Sequence, residues 1–352
     1  MVYDLIEYIV FSIIYSEIEK RGKYSIQTYS ASALQNMFKT SLESNTNIFK
    51  CTNEELAILM DKIMNNLKES QKSKVLEIYR LLENSKIKNK LFKRALEEYS
   101  MCIENKISLM PYESLNYPEK LRNIKDSPFL LYYIGNFPVE KDLEKSIAIV
   151  GSRDSVKLSE DISYNTAFEL SKSKIWNISG LALGIDSFGH LGSIDSEGYT
   201  GAVLGQGLLD PIFPKENMEL SEKILKMGGF LVSELPPSTK IDGIFLILRD
   251  RLQSALTDSV FVVQTGKKGG TLNTVNYAVN QSKTVYVFEP TEILDGFEGN
   301  LILLNKLEIP EKFKVSKKNI EKIKSVKNVL ELKKEVGLVC FKVQITMDEY
   351  FC

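Results

Sequence analysis

The sequence contains four apolar runs that end in glycine, each followed by a segment long enough for a helix. They are residues 146–153 (SIAIVGSR), 178–186 (ISGLALGID), 202–208 (AVLGQGL) and 262–271 (VVQTGKKGGT). Repeated units of strand, glycine turn and helix build a parallel sheet that is covered by helices. Polyanions bind such sheets at the carboxyl ends of the strands, so functional residues are expected at that edge.

Uninterrupted runs of valine and isoleucine predict six strands that are buried on both faces. These strands are residues 147–150, 176–179, 201–204, 230–233, 259–263 and 284–288. A polar or amphipathic stretch follows each of them, which predicts an α/β sandwich with crossover helices. After Pro310 the pattern changes to a lysine-rich helix, and residues 338–345 could form an edge strand.

The first hundred residues have helical periodicity. Apolar residues recur at helical spacing from Leu5 to Ile14, from Leu56 to Leu67 and from Val75 to Leu82. The apolar run at residues 8–15 is too short to span a membrane and follows two acidic residues, so it predicts a core helix. The predicted domains are a small all-helical domain (1–105), an α/β domain (106–310) and a lysine-rich extension (311–352).

Composition places the chain among proteins with a full-sized core. It has 352 residues, of which 43% are hydrophobic and 26% are charged. The net charge of −1 conceals nine lysines against two glutamates between Lys312 and Lys334, which indicates either a basic tail or a solvated helix face. The four scattered cysteines and the single His190 do not form a common zinc site. We therefore expect a reducing cytoplasm, no membrane association, no metal and no cofactor.

Arg153 is the first candidate for binding an anion. It directly follows Gly151 and Ser152 at the end of a predicted strand, where its guanidinium can hold a phosphate with a fork of donors. An ion pair with a neighbouring carboxylate is the alternative interpretation. Glycines at 180, 184, 205 and 207 either present amides to an anion or allow tight packing between strands and helices.

Two further segments favour phosphate binding. Lys215 lies in the loop FPKEN (213–217) after the third strand of the α/β domain and could make a second phosphate contact. Gly269, Gly270 and Thr271 open a helix, whose first amides have no partner within the helix and attract anions.

Taken together, these residues resemble the DNA processing protein A family, also called DprA or Smf. The resemblance runs from about Leu109 to Glu308 and begins with NYPEKLR (116–122) and SPFLLYYIGN (127–136). It continues in family order through GSR (151–153), SGLA (179–182), GID (184–186), His190, GQGL (205–208), Phe213-Pro214, Asn217 and Ser233-Glu234.

The resemblance implies a Rossmann-like, doubly wound, mainly parallel sheet that binds single-stranded DNA. It also implies that the protein protects incoming single strands, passes them to the RecA recombinase during natural transformation, and dimerises through the Rossmann-like domains. The DNA-binding residues expected on this basis are Gly151, Ser152, Arg153, Gly180, Leu181, Gly184, Lys215, Asn217, Arg249, Arg251, Gly269, Gly270 and Thr271. Arg249 and Arg251 fall where the family usually carries Arg-Asn-Arg, and here Asp250 between them could neutralise part of their field.

An enzyme is the rival hypothesis. Relatives similar to cytokinin-activating phosphoribohydrolases carry a glutamate shortly after the Gly-Thr, whereas here LNTVNYA (272–278) brings no carboxylate after Thr271. His190 lacks an evident activating partner, so a structural role is favoured for it. The sequence thus favours binding over catalysis. A nucleotide-sensing module of a defence system on the same fold is a second alternative, which would need a small-ligand pocket and an effector domain.

Overall fold

The computed structural model describes residues 1–22, 29–65, 67, 69–292, 294–305 and 321–337. Five helices come first: α1 (Leu5–Gly22), α2 (Tyr29–Glu43), α3 (Asn53–Asn65), α4 (Glu69–Glu83) and α5 (Ser85–Glu104). Residues 8–15 of α1 are all buried, which confirms the predicted core helix. None of the described helices has both the length and the apolar character that crossing a membrane requires.

The helical region shares its hydrophobic core with the sheet that follows. Phe129 stacks on Phe11 with 5.3 Å between ring centroids and meets Phe38 edge to face. Leu130, Tyr132, Leu235 and Phe245 of the later region belong to the same buried cluster. The helices end at Glu104 but the core continues beyond them, so the division into separate domains at residue 105 stays a prediction.

Nine strands form one sheet in the order β1-β2-β6-β5-β4-β3-β7-β8-β9. They are β1 (Ser108–Pro111), β2 (Leu130–Gly135), β3 (Ser146–Val150), β4 (Trp176–Ser179), β5 (Thr200–Val203), β6 (Phe230–Ser233), β7 (Ser259–Val262), β8 (Thr284–Phe288) and β9 (Ile323–Val326). The pairs β1–β2 and β2–β6 are antiparallel, and the remaining pairs are parallel. All six predicted strands are present, with ends that differ by at most one residue.

Helices cover both faces of the parallel part. They are α6 (Glu119–Arg122), α7 (Glu140–Leu143), α8 (Lys157–Lys172), α9 (Ile185–Asp195), α10 (Met218–Lys226), α11 (Gly243–Leu248), α12 (Asp250–Leu256), α13 (Thr271–Asn280), α14 (Glu298–Leu303) and α15 (Val329–Glu335). Ile147 and Ile149 of β3 pack in the cluster of α8 and α9, whereas Ala148 and Val150 pack in the cluster of α13. This alternation follows from the two-residue period of a strand. The predicted doubly wound α/β fold behind an all-helical region is thereby confirmed.

The segment after Pro310 corrects one expectation. Instead of a continuous lysine-rich helix, residues 323–326 form β9, which pairs with β8 at the edge of the main sheet, and α15 follows. Lys324 and Ser325 of this edge strand are exposed to solvent. Its sequence is therefore as polar as that of a surface helix, which explains the different prediction. Residues 338–345, considered as an edge strand, lie outside the described residues.

Candidate nucleic-acid interface

The sheet has its switch point between β3 and β7. The chain continues from β3 to β4 on one side, while β7 pairs with β3 on the other. Loops that leave two such strands diverge and open a crevice beyond the carboxyl ends of the strands, where α/β proteins bind ligands. A cavity of about 520 Å³ lies there, lined by the loops after β3, β4 and β7 and by α11 and α12.

The loop after β3 contributes Gly151, Ser152 and Arg153 to the lining. The Ser152 amide donates to the Gln264 carbonyl across the crevice at 2.8 Å, which fixes this loop to the end of β7. Gly184, with φ of +72°, lets the turn after β4 approach the same loop, because a Cβ there would lie 2.4 Å from the Ser152 carbonyl oxygen. Arg153 is exposed and makes no ion pair or hydrogen bond with any residue that the structure describes.

The loop after β7 brings Lys268, Gly269, Gly270 and Thr271 to the opposite side of the cavity. Helix α13 begins at Thr271, so the first amides of this helix lie at the cavity, where an anion can accept from them. Lys268 is exposed and has no ion-pair partner in the described part of the chain. Sequence reasoning missed Lys268, although the Lys-Lys pair between glycines at 266 and 269 was a visible signal.

The floor of the cavity is formed by Asp186, Arg249, Asp250 and Gln253. Arg249 is buried, and its Nη1 donates to the Val203 carbonyl at 3.2 Å and to Gln253 Oε1 at 3.1 Å. Its Nε lies 3.3 Å from Asp250 Oδ1. The two side chains thus form an ion pair, and the effect of Asp250 on the field that an anionic ligand feels stays a prediction.

Burial controls the protonation of the acids on the floor. It raises the pKa of Asp250 to about 7, although the positive charge of Arg249 opposes the rise. Burial also raises the pKa of Asp186 above its ordinary value, again against Arg249. Sequence reasoning found no carboxylate near the Gly-Thr turn, because these two acids reach the cavity from α9 and α12.

Four of the predicted glycines serve packing. Gly180 lies beneath Arg249: a Cβ at this position would be 1.3 Å from Arg249 Nη1, and the Gly180 amide already donates to Asp186 at 3.0 Å. A Cβ at Gly205 would meet the Leu246 backbone at 2.9 Å, and one at Gly207 would meet the Pro236 carbonyl at 2.3 Å. These three glycines and Gly184 therefore agree with the interpretation that glycine allows tight packing between strands and helices.

Arg251 requires a correction. It does not line the cavity; it is buried and donates to both carboxylate oxygens of Glu234, at 2.7 and 2.6 Å, and to Tyr15 at 3.3 Å. This guanidinium fixes α12 to the end of β6 and to α1, and is not available to a ligand.

Five other predicted residues also lie outside the lining of the main cavity: Gly180 and Gly184, described above, and Asn217, Leu181 and Lys215. Asn217 is buried and donates to the Leu181 carbonyl at 2.9 Å and to Ser187 Oγ at 2.8 Å, so it holds the turn after β4. Leu181 is itself a core residue of that turn. Lys215 is exposed but lines neither the main cavity nor the smaller depression beside it, so its phosphate contact stays a prediction.

A smaller depression of about 90 Å³ adjoins the main cavity. Arg153, Ala182, Leu246 and Arg249 line both, so the two are continuous. Phe213, which is 43% exposed, provides an aromatic surface on the far side of the depression. Aromatic surfaces beside cationic grooves can stack nucleobases of any sequence.

His190 lies in the core. Its Nδ1 is 2.7 Å from Thr200 Oγ1, and burial together with the charge of Arg249 lowers its pKa to about 3, so the ring is neutral at physiological pH. These contacts are those of a structural residue. Among the described residues no group of three or more histidines, cysteines, aspartates or glutamates could hold a metal ion.

Known proteins resemble this chain in sequence and in fold. The family model for DNA recombination-mediator protein A matches residues 108–307. The chain belongs to this family. Protein Smf of Borreliella burgdorferi is 35% identical over 183 residues, which cover 52% of this chain and 57% of that protein. DprA of Bacillus subtilis is 33% identical over 201 residues, which cover 57% and 66%. The matched region thus spans about three-fifths of the length of these relatives.

Two solved structures share the fold. The crystal structure of DprA from Streptococcus pneumoniae superimposes with a TM-score of 0.65 at 20% identity and covers 93% of this chain and 97% of its own. DprA from Helicobacter pylori, whose structure was described for its mode of binding single-stranded DNA, gives 0.53 at 24% identity and covers 65% and 95%. The first of these likenesses extends the shared fold over nearly the whole chain, including the helical region.

Proposed function

We propose that this protein binds single-stranded DNA through the edge of the sheet between β3 and β7. The observation that carries the proposal is the pair Arg153 and Lys268, two exposed cations without described protein partners on opposite sides of one crevice. With the amides at the start of α13 they offer donors to successive phosphates. Contacts of this kind read the backbone and not the sequence.

Relatives support a role in recombination. The matched family is described as a recombination mediator, and the H. pylori relative binds single-stranded DNA. We infer that this chain likewise protects single strands, transfers them to the RecA recombinase and acts as a homodimer. The transfer is tested by adding RecA to DNA covered with a single-strand-binding protein, where this chain should accelerate formation of RecA filaments.

Catalysis is the second candidate, favoured by one observation. Asp250 lines a cavity that can hold a nucleotide and has a pKa of about 7, the range suited to general acid–base chemistry. We nevertheless propose a binding protein, because a positioned acid accelerates a reaction only when other groups stabilise the transition state. Incubation with nucleoside monophosphates or NAD should release no base or nicotinamide. Release that disappears in Asp250→Asn would establish the enzyme instead.

A salt titration with three ligands tests the binding proposal. Single-stranded DNA should bind in preference to duplex DNA and to mononucleotides, and its affinity should fall steeply as salt rises, because neutralised phosphates release condensed counterions. Arg153→Ala should weaken binding by about 1–3 kcal/mol, the scale of lost hydrogen bonds to a charged group. The matched control is Arg80→Ala, which removes an exposed arginine from α4. Equal affinity for duplex, or equal losses in the two variants, would refute the proposed site.

A further inference from the structure

The floor of the cavity carries one ionisable side chain without a hydrogen-bond donor. Asp250 lines the cavity with only 7% of its surface exposed, and within the described part of the chain its carboxylate accepts no hydrogen bond. Arg249 Nε approaches Oδ1 to 3.3 Å, but this Nε makes no hydrogen bond. Burial without protein donors disfavours the carboxylate form, which is why the pKa of Asp250 is raised to about 7, and donors from a ligand would restore that form. Asp250 therefore points to a ligand that brings donors of its own.

The neighbouring polar groups of the floor are occupied by protein contacts. Asp186 Oδ2 accepts from the amides of Gly180, at 3.0 Å, and Ala182, at 3.5 Å. Gln253 accepts from Arg249 at 3.1 Å and donates to Ser179 at 3.2 Å. On the floor, the Asp250 carboxylate is thus the side-chain acceptor that receives no hydrogen bond from the described protein.

The distribution of charge suits a nucleotide with its base inward. Arg153 and Lys268 at the rim attract phosphate, whereas on the floor the carboxylates of Asp186 and Asp250 offset the charge of Arg249. Leu246 and Ile247 of α11 form an apolar wall that a base can contact with its face. The volume of about 520 Å³ falls within the range of small-ligand pockets, roughly 300–1,000 Å³.

The pattern of hydrogen-bond donors on the edge of a base decides which of the four bases fits. In its ionised form, which two donors from a ligand would stabilise, the Asp250 side chain is an acceptor-only group that binds two parallel donors best. Guanine presents N1–H and its 2-amino group side by side. Adenine and cytosine place a ring-nitrogen acceptor beside their amino group, and thymine flanks its single N–H with two carbonyls, so each turns an acceptor toward the carboxylate.

We propose that Asp250 makes this cavity a guanine-selective site on the bound single strand. The carboxylate accepts from N1–H and the 2-amino group of one guanine, while the adjoining phosphates lie at Arg153 and Lys268. This inference rests on the proposed binding of single-stranded DNA, and it adds a choice of base to a contact that otherwise reads only the backbone.

The test uses thymidine oligonucleotides in which central bases are replaced. 7-Deazaguanine keeps both donors and prevents quadruplex formation, whereas hypoxanthine keeps N1–H but lacks the amino group. The full-length protein should bind the 7-deazaguanine strand about tenfold or more tightly than the thymidine strand, the scale of a hydrogen bond to a charged group in a buried site. Hypoxanthine should give an intermediate affinity, and adenine and cytosine should give none of the gain.

Asp250→Asn separates base recognition from a simple charge effect. The variant should lose the preference for 7-deazaguanine over the thymidine strand, whereas a simple charge effect would change the affinity for both strands by the same factor and keep their ratio. Equal binding of all strands by the wild type overturns the inference and leaves the DNA-binding proposal standing. Failure to bind any strand or guanosine monophosphate overturns both. Selective binding of guanosine monophosphate alone keeps the choice of base and refutes the DNA proposal. Because the comparison of bases uses wild-type protein, a misfolded variant does not remove the test.

Discussion

Replacing Gly180 by alanine distinguishes the two roles of glycine at this sheet edge. One role is to allow tight packing, and the other is to let a phosphate approach the backbone. The added methyl carbon would lie 1.3 Å from Arg249 Nη1, so the guanidinium must leave its position. Its hydrogen bonds to the Val203 carbonyl and to Gln253 are then lost. Each bond to a charged group contributes about 1.5–3 kcal/mol. Because the guanidinium can swing toward the cavity and recover some solvation, we expect the lower end of the sum, about 3 kcal/mol.

The assay is urea unfolding with a matched glycine variant. Gly180→Ala should lower the midpoint without changing the slope, and should also weaken DNA binding, because Arg249 then protrudes into the cavity. Gly270 has helical dihedrals and open space around its Cα, so Gly270→Ala should keep or raise the free energy of unfolding, by up to about 1 kcal/mol. Its methyl group would nevertheless obstruct a phosphate at the start of α13. Wild-type stability of Gly180→Ala would refute the packing argument.

Three further outcomes follow from the same contacts. Lys268→Ala should reduce the slope of log affinity against log salt by about one unit with unchanged stability, whereas Lys90→Ala on α5 should change neither. Arg251→Met should lower the free energy of unfolding by about 3–5 kcal/mol, because it leaves Glu234 buried and unpaired; weakened DNA affinity without this loss would restore Arg251 to the site. Asp250, which faces Arg249, Asp186 and Arg153, has a folded-state pKa of about 7, above its ordinary value of 3.8. The folded state therefore binds more protons between these values, so stability should fall as pH rises through this window and level off above it. Asp250→Asn should remove its share of that slope in urea unfolding at several pH values.

The strands of the parallel sheet could be predicted almost to the residue because their signal is local. Strands covered on both faces need continuous apolar side chains, as in β3 and β7. The edge strand β9 lacks this signal, since two of its four residues face solvent. Strand β1 is short and ends in proline, a sequence that is equally typical of a loop.

The site was predictable where a side chain follows a strand end directly. Arg153 and residues 269–271 meet this condition, because the end of a parallel strand fixes which edge they reach. Arg249 and Arg251 do not: two residues along a helix are about 200° apart around its axis, so only one of them can face the cavity. Which one does depends on Glu234 and Tyr15, which are distant in sequence. The position of the Asp250 side chain at the cavity depends in the same way on how α12 packs.

The cationic rim and the charge-balanced floor lead to separable effects of mutation. Phosphates are expected at the rim because Arg153 and Lys268 are exposed there, whereas on the floor Asp186 and Asp250 offset the charge of Arg249. Loss of a rim cation should therefore weaken binding to every strand by a similar factor and reduce its dependence on salt. A change at Asp250 should instead alter the order in which bases are preferred and leave most of the salt dependence in place. A rim variant that changed the order of preferred bases would show that rim and floor do not act independently. The DNA backbone and the base would then be held by one set of contacts.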